Sequence, residues 1–138
     1  MAAKDVFHDA VRNGLEKDGW VITDDPLKIK AGGADMQIDL GAERVIAAQR
    51  GEEKIAVEIK SFIGTSNISE FHTAVGQFLN YRVGLEEQQP ERFLDLAVPV
   101  GVDRKFFRLP FVQTIIQRFQ IALLVYDPAT EVILSWKK

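Results

Sequence analysis

Apolar residues recur every three to four positions between Lys4 and Lys17, at Val6, Phe7, Ala10, Val11 and Leu15, and that period predicts a helix. Gly19, just beyond, suits a helix stop. Trp20-Val21-Ile22-Thr23 then predicts a short strand, broken by the turn-forming Asp24-Asp25-Pro26. Leu27 to Lys30 extends as an edge strand before Gly32-Gly33. Three alternating segments follow: Gln37 to Leu40, Arg44 to Arg50, and Lys54 to Phe62. They predict a β-hairpin with a bend near Gly41 and a turn at Gly51-Glu52-Glu53. The helical period returns from Asn67 to about Gln88, with Ile68, Phe71, Val75, Phe78 and Leu79 as its buried stripe. Asn67 and Glu70 stand at the spacing of an N-cap and its reciprocal partner, and Pro90 closes the helix.

Phe93 to Val100 is an apolar run bounded by Pro90 and Gly101, the pattern of a buried strand. Pro110 suits the first turn of another helix, with Phe111, Ile115, Ile116 and Phe119 facing inward. Ile121 to Tyr126 reads as a buried strand, and Asp127-Pro128-Ala129-Thr130 turns the chain into Val132 to Trp136. The order is helix, three or four strands, helix, strand, helix, two strands. It predicts an α/β fold with a central mixed β-sheet flanked by helices, in a single domain over residues 1–138.

Composition narrows the chemistry. With no cysteine, disulfides, thiolate zinc sites and a cysteine nucleophile are excluded. No apolar run approaches the ~20 residues of a membrane helix, and the N-terminus carries no signal-peptide pattern. The expectation is a cytoplasmic protein with no membrane contact. The net charge is −3 and the pI near 5.4, against the strongly basic surface of proteins that grip duplex DNA. Local cations stand at Lys28, Lys30, Arg50, Arg104, Lys105, Arg108 and Arg118. The balance predicts weak DNA affinity for the chain alone, or a partner that completes the grip.

The candidate chemistry lies at Asp39, Glu58 and Lys60. Strand alternation puts Glu58 and Lys60 on one face, with Val57 and Ile59 on the other. If the first alternating segment pairs with the second, Asp39 meets Glu58 over the sheet. Two converging carboxylates repel unless a cation lies between them, and magnesium accepts one or two carboxylates, waters and phosphate oxygens. The carbonyl of Ile59 would add another oxygen ligand. The plain alternative is a half-exposed strand showing alternating charge to solvent. Asp39 weighs against it, because Asp is depleted in strands and this one has apolar neighbours. Gln77 and Tyr81, four apart, share one face of the long helix; the plain alternative there is a polar flank with Tyr81 half buried. Glu16 is a further acidic candidate, or an exposed helix residue. His8 and His72 lack a histidine or cysteine at ligand spacing and read as packing or surface residues.

In these residues the chain resembles the PD-(D/E)xK phosphodiesterase superfamily, which includes restriction endonucleases: Asp39, then Glu58-Ile59-Lys60, then Gln77-x-x-x-Tyr81 on the following helix. More specifically it resembles the XisH family, the fdxN element excision controlling factors. That resemblance runs through Asp18-Gly19-Trp20, Asp25-Pro26-Leu27 and Ile38-Asp39-Leu40-Gly41-Ala42-Glu43-Arg44. It continues in Ala56-Val57-Glu58-Ile59-Lys60-Ser61-Phe62 and Ala74-Val75-Gly76-Gln77-Phe78. The resemblance implies a restriction-endonuclease-like fold and a role in programmed excision of a DNA element, beside a site-specific recombinase and a small companion, XisI. It implies Asp39 and Glu58 as ligands of Mg²⁺ or Mn²⁺, with Lys60 near the attacking water. The sequence departs from the superfamily pattern at Ile38, where many members carry proline.

Two functions follow. One is metal-dependent phosphodiester hydrolysis, with Gln77 and Tyr81 bracing the site or contacting the DNA strand. The other is a non-catalytic recombination accessory acting through a XisI-like partner, for which Phe106, Phe107, Phe111 and Phe119 would supply an interface unless they are core. Nucleases of this fold often act in pairs, so a homodimer is also in view.

Overall fold

The computed structural model describes residues 7–31, 34–36, 45–63 and 66–137. The alternating hairpin builds the middle of its sheet. β4 (Val45–Arg50) and β5 (Glu53–Ile59) pair antiparallel, from Arg50 opposite Glu53 to Val45 opposite Glu58. β1 (Val21–Asp24) adds to the outer edge of β4. From β5 the chain crosses over through α2 (Asn67–Gln88) and returns parallel as β6 (Arg92–Pro99). β7 (Leu123–Asp127) is again parallel, and β8 (Val132–Lys137) closes the far edge antiparallel. Among the described residues the sheet has six strands in the order β1-β4-β5-β6-β7-β8. This is the expected α/β architecture with a mixed sheet.

Helices cover both faces, and the period-two pattern sorts the core between them. On one face Val11 and Leu15 of α1 (His8–Lys17) pack with Ile46, Ile55, Val57, Ile59 and Leu124. On the other, Phe71, Ala74, Phe78, Tyr81 and Leu85 of α2 pack with Ala56, Leu94, Leu96 and Val98. Each fully buried phenylalanine of that stripe contributes roughly 1.5–3 kcal/mol. The stripe follows steps of three and four residues along α2, but its phase differs from expectation. Ile68 is exposed, and Val75 and Leu79 are only partly buried. The helix is capped by Ser66, whose hydroxyl accepts from the Ser69 N–H, rather than by Asn67, which is already helical.

Other expectations shift too. α1 begins at His8, and residues 4–6 lie outside the described residues. Ile29–Ala31 (β2) is not an edge of the main sheet. It pairs with Ala34–Met36 (β3) as a separate two-stranded ribbon, and β2 lies against α2. The segment Gln37 to Leu40 and the bend near Gly41 lie outside the described residues. The apolar run after Pro90 ends in a short helix, α3 (Val100–Arg104), followed by a 3₁₀ turn at Phe106–Arg108 and α4 (Pro110–Arg118). Pro110 opens α4 as expected. Its inward position is taken by Val112, while Phe111 and Phe119 are 56% and 40% exposed, a reversal of their expected direction. Phe106 and Phe107 do join the core, in edge-on contact with Phe71.

α1 approaches the turn before β8 closely. Lys17 Nζ donates to the Thr130 and Glu131 carbonyls at 3.0 and 3.1 Å. A Cβ at Gly14 would stand 3.2 Å from Ile133 Cγ1 and 3.4 Å from the Glu131 carbonyl.

Candidate functional site

β5 carries Glu58 one residue before its end, and Lys60 follows immediately. The Lys60 N–H still bonds the Ala97 carbonyl at 3.0 Å, so the parallel ladder holds the backbone of both residues. Glu58 pairs in register with Leu96, which packs under α2, so its side chain points to the α2 face. Val57 and Ile59 point to the α1 face, as the alternation requires.

Burial separates the two readings of Glu-x-Lys. Glu58 is 0% exposed and Lys60 2%, so neither belongs to a solvent-facing strand surface. Bringing two such charges out of water costs several kcal/mol per ion. Lys60 Nζ lies 3.8 Å from Glu58 Oε2, and it donates a short hydrogen bond to Gln77 Oε1. α2 thus reaches across the sheet with an amide and fixes the ammonium above the strand end. The Lys60 carbonyl accepts from the Tyr126 hydroxyl at 3.4 Å, which ties the same residue to β7.

Just past Lys60 the chain turns through Phe62, at φ +55°, a left-handed conformation that costs a residue with a side chain about 1–2 kcal/mol. Its ring stacks edge-on against Phe107 at 5.6 Å and lies 6.3 Å from Phe106, and this packing offsets the strain. The turn directs the chain from the strand end toward α2. Sequence periodicity carried no signal for it.

Of the candidate residues, the structure brings together Glu58, Lys60 and Gln77. Tyr81, one turn beyond Gln77, is buried among Phe78, Leu85 and their apolar neighbours rather than half exposed. Asp39 lies outside the described residues. The chain re-enters the described structure at Val45, opposite Glu58. Glu16 is exposed on α1, on the other side of the sheet from Glu58, so it does not join the cluster. Among the described residues, no three carboxylate or imidazole side chains are gathered as a cation site. A hard divalent cation needs oxygen donors. Of the described residues on this face, Glu58 offers such a donor: a fully buried carboxylate one residue before the end of β5.

Two other acidic residues were missed. Asp95 is fully buried on β6. Its register partner is Val57, which places it on the face away from Glu58. A carboxylate inside the run Phe93 to Val100 was the available signal, the same one that singled out Asp39. Asp25 accepts from His8 Nε2 at 2.9 Å and from Arg12 at 2.6 Å. Burial pushes the Asp25 carboxyl up, but the hydrogen bonds from His8 and Arg12, and then their electrostatic attraction, outweigh it. The group lies below its ordinary 3.8. His8 is therefore a packing residue, as expected, with a fixed partner; His72 is exposed.

A hollow of about 770 Å³ opens at the other end of β5, between Trp20, Arg50, Lys54, Phe93 and Trp136. It lies away from Glu58 and is distinct from this cluster. No described helix is long and apolar enough to cross a membrane.

The chain matches the family described as XisH protein over residues 1–134. It is similar to the crystal structure of an XisH family protein from Nostoc punctiforme PCC 73102, at 51% identity and a TM-score of 0.90, covering 97% of this chain and 100% of that one. It is also similar to the structure of a fdxN element excision controlling factor protein from Anabaena variabilis, at 50% identity and a TM-score of 0.89, covering 96% and 98%. Among curated proteins no relative matches.

Proposed function

This chain belongs to the XisH family, and on that premise we propose that it acts on DNA during excision of a genetic element, as a metal-dependent phosphodiesterase of the PD-(D/E)xK type. The observation that carries the reading is the buried Glu58–Lys60 pair with Gln77 on Lys60. A buried ion pair is a poor stabiliser compared with apolar residues of the same size, so stability does not account for it. Ionisable groups held out of water are enriched at catalytic sites, which supports the reading. The similarity to the Anabaena variabilis excision controlling factor supports the biological setting.

Glu58, Asp39 and the Ile59 carbonyl would hold Mg²⁺ or Mn²⁺, which as a Lewis acid supplies polarisation of the scissile phosphate. Lys60 neutralises charge that builds on the phosphate oxygens, and orients the attacking water. Gln77, accepting from Lys60, keeps the ammonium directed at that position rather than collapsed on Glu58. Tyr81 braces α2 against the sheet, one turn from Gln77.

The test is cleavage of plasmid, branched and single-stranded DNA with Mg²⁺ or Mn²⁺, for the wild type and Asp39→Asn. Loss of cleavage in the variant, with an unchanged circular dichroism spectrum, is the expected result. Equal cleavage by both proteins would eliminate the mechanism.

A second reading, a non-catalytic accessory bound to a XisI-like companion or to a second copy, is favoured by one observation. Phe93 is 71% exposed beside Trp136 and Trp20, at the sheet end away from Glu58. A companion that binds equally well to the wild type and Glu58→Ala, with no cutting of any DNA form, would favour it.

A further inference from the structure

The chain carries net negative charge, yet between Arg104 and Tyr126 it has four cations and no carboxylate. Those cations, Arg104, Lys105, Arg108 and Arg118, are all exposed. Phe111 and Phe119 are exposed between and beside them. The rings are eight residues apart, about 12 Å along the axis of α4. Arg108 keeps one long contact, 3.4 Å, with Asp103, which is itself satisfied by Lys137 at 3.0 Å. A groove on the other flank of α4 is lined by Arg108, Lys137 and the amides of Gln113, Gln117 and Gln120, again with no carboxylate.

The surface also starts where the candidate site ends. α3 follows directly from β6, and β6 runs parallel to β5, so both leave the sheet at the end that carries Lys60. Phe106 and Phe107 pack on Phe62, two residues after Lys60. At the far end, Arg82 of α2 donates to the Phe119 and Gln120 carbonyls at 2.8 and 3.1 Å, which fixes α4 against the helix that bears Gln77.

Exposed rings cost free energy in water unless a partner covers them. Arg104 and Arg108 each have one carboxylate in reach, Asp127 and Asp103, so cations still outnumber acids here and attract an anionic chain. Cations that track a phosphate backbone, with rings on which unpaired bases stack, are the chemistry of single-strand binding; duplex DNA hides its base faces and offers nothing to those rings. We propose that the α3–α4 surface binds a single-stranded stretch of DNA and leads it to the Glu58–Lys60 end of the sheet. The substrate class is thus DNA with unpaired bases. This inference rests on the nuclease reading given above.

The experiment is fluorescence anisotropy in EDTA, where binding is separated from cutting. The probes are a labelled thymidine oligomer of about 20 nucleotides and a mixed-sequence duplex of equal length. At low salt the thymidine oligomer should bind at least about tenfold tighter than the duplex. Phe111→Ala/Phe119→Ala should weaken it about tenfold or more, since each stacked base is worth ~1–3 kcal/mol, and should leave duplex binding within about twofold. Both rings are exposed, so this variant keeps its core, which circular dichroism checks. Lys105→Glu/Arg118→Glu should weaken both probes and flatten a salt slope of about −3, the value for four phosphate contacts on a single strand. Equal or tighter duplex binding, or an aromatic variant that binds like the wild type, overturns the proposal. So does displacement of the oligomer by polyglutamate at equal charge, which would mark an acidic-protein surface. Intact binding without cleavage in Mg²⁺ would sink only the nuclease reading. Intact cleavage without preferential single-strand binding would sink only this one.

Discussion

Two charged clusters lie on opposite faces of the sheet, and they are built differently. On the α1 side, Asp25 takes hydrogen bonds of 2.9 and 2.6 Å from His8 and Arg12, and Arg12 remains 38% exposed. That cluster fastens the turn after β1 to α1. On the α2 side, Glu58 and Lys60 are more deeply buried, yet their charged atoms stand 3.8 Å apart and the ammonium is drawn off by Gln77. Short contacts close the first cluster on itself. The second holds its charges apart, in the region where hydrolysis is proposed. Depth of burial alone does not separate the two clusters; the spacing of the charges does.

The sharpest way to break this contrast is to remove one carboxylate from each cluster. Glu58→Gln should lower metal-dependent cleavage about 100-fold or more, while Asp25→Ala should leave it within about twofold, as gel assays would measure. If both variants lost activity alike, the distinction would fail. In chemical denaturation the ranking reverses: Asp25→Ala should lose about 3 kcal/mol, because it takes the carboxylate from both the buried His8 Nε2 and Arg12. An effect of opposite sign is expected from replacing the Glu58–Lys60 pair whole. Glu58→Leu/Lys60→Met should be unchanged in stability or gain about 1–4 kcal/mol, and a clear loss would make the pair structural.

The mildest effect is in pH. The folded Asp25 carboxyl is depressed below 3.8, so the unfolded chain binds its proton first as the solution is acidified. The stability from this group is therefore fully present above that value and declines as pH falls through the folded value. Unfolding curves at pH 7 and pH 3 should differ less for Asp25→Asn than for the wild type. An equal difference would remove Asp25 from the acid response.

Much of this was legible along the chain. The period-two segments gave the β4–β5 hairpin, and the longer period gave α2, because both depend on which side of an element is apolar. The pairing of Glu58 with Lys60 on one face followed from the same rule. Their burial did not, since it comes from α2 closing over the strand end, a long-range event invisible to local alternation. Composition favours an inward Phe111 and Phe119, but Val112 and the half-buried isoleucines already fill the inner side of α4. Asn67 and Ser66 are adjacent and both suit a cap, so local pattern locates this helix end only to within one residue. Asp39 rests on motif order alone.

The close seat of α1 has a practical consequence. Exchanging glycine for alanine inside a helix ordinarily raises stability by up to about 1 kcal/mol. At Gly14 the new methyl would stand 3.2 Å from Ile133 Cγ1, so that side chain must yield by a few tenths of an ångström, and its freedom to do so sets how much of the gain survives. A residue bulkier than alanine there offers a means of prising the first helix from the sheet while the α2 face is left untouched.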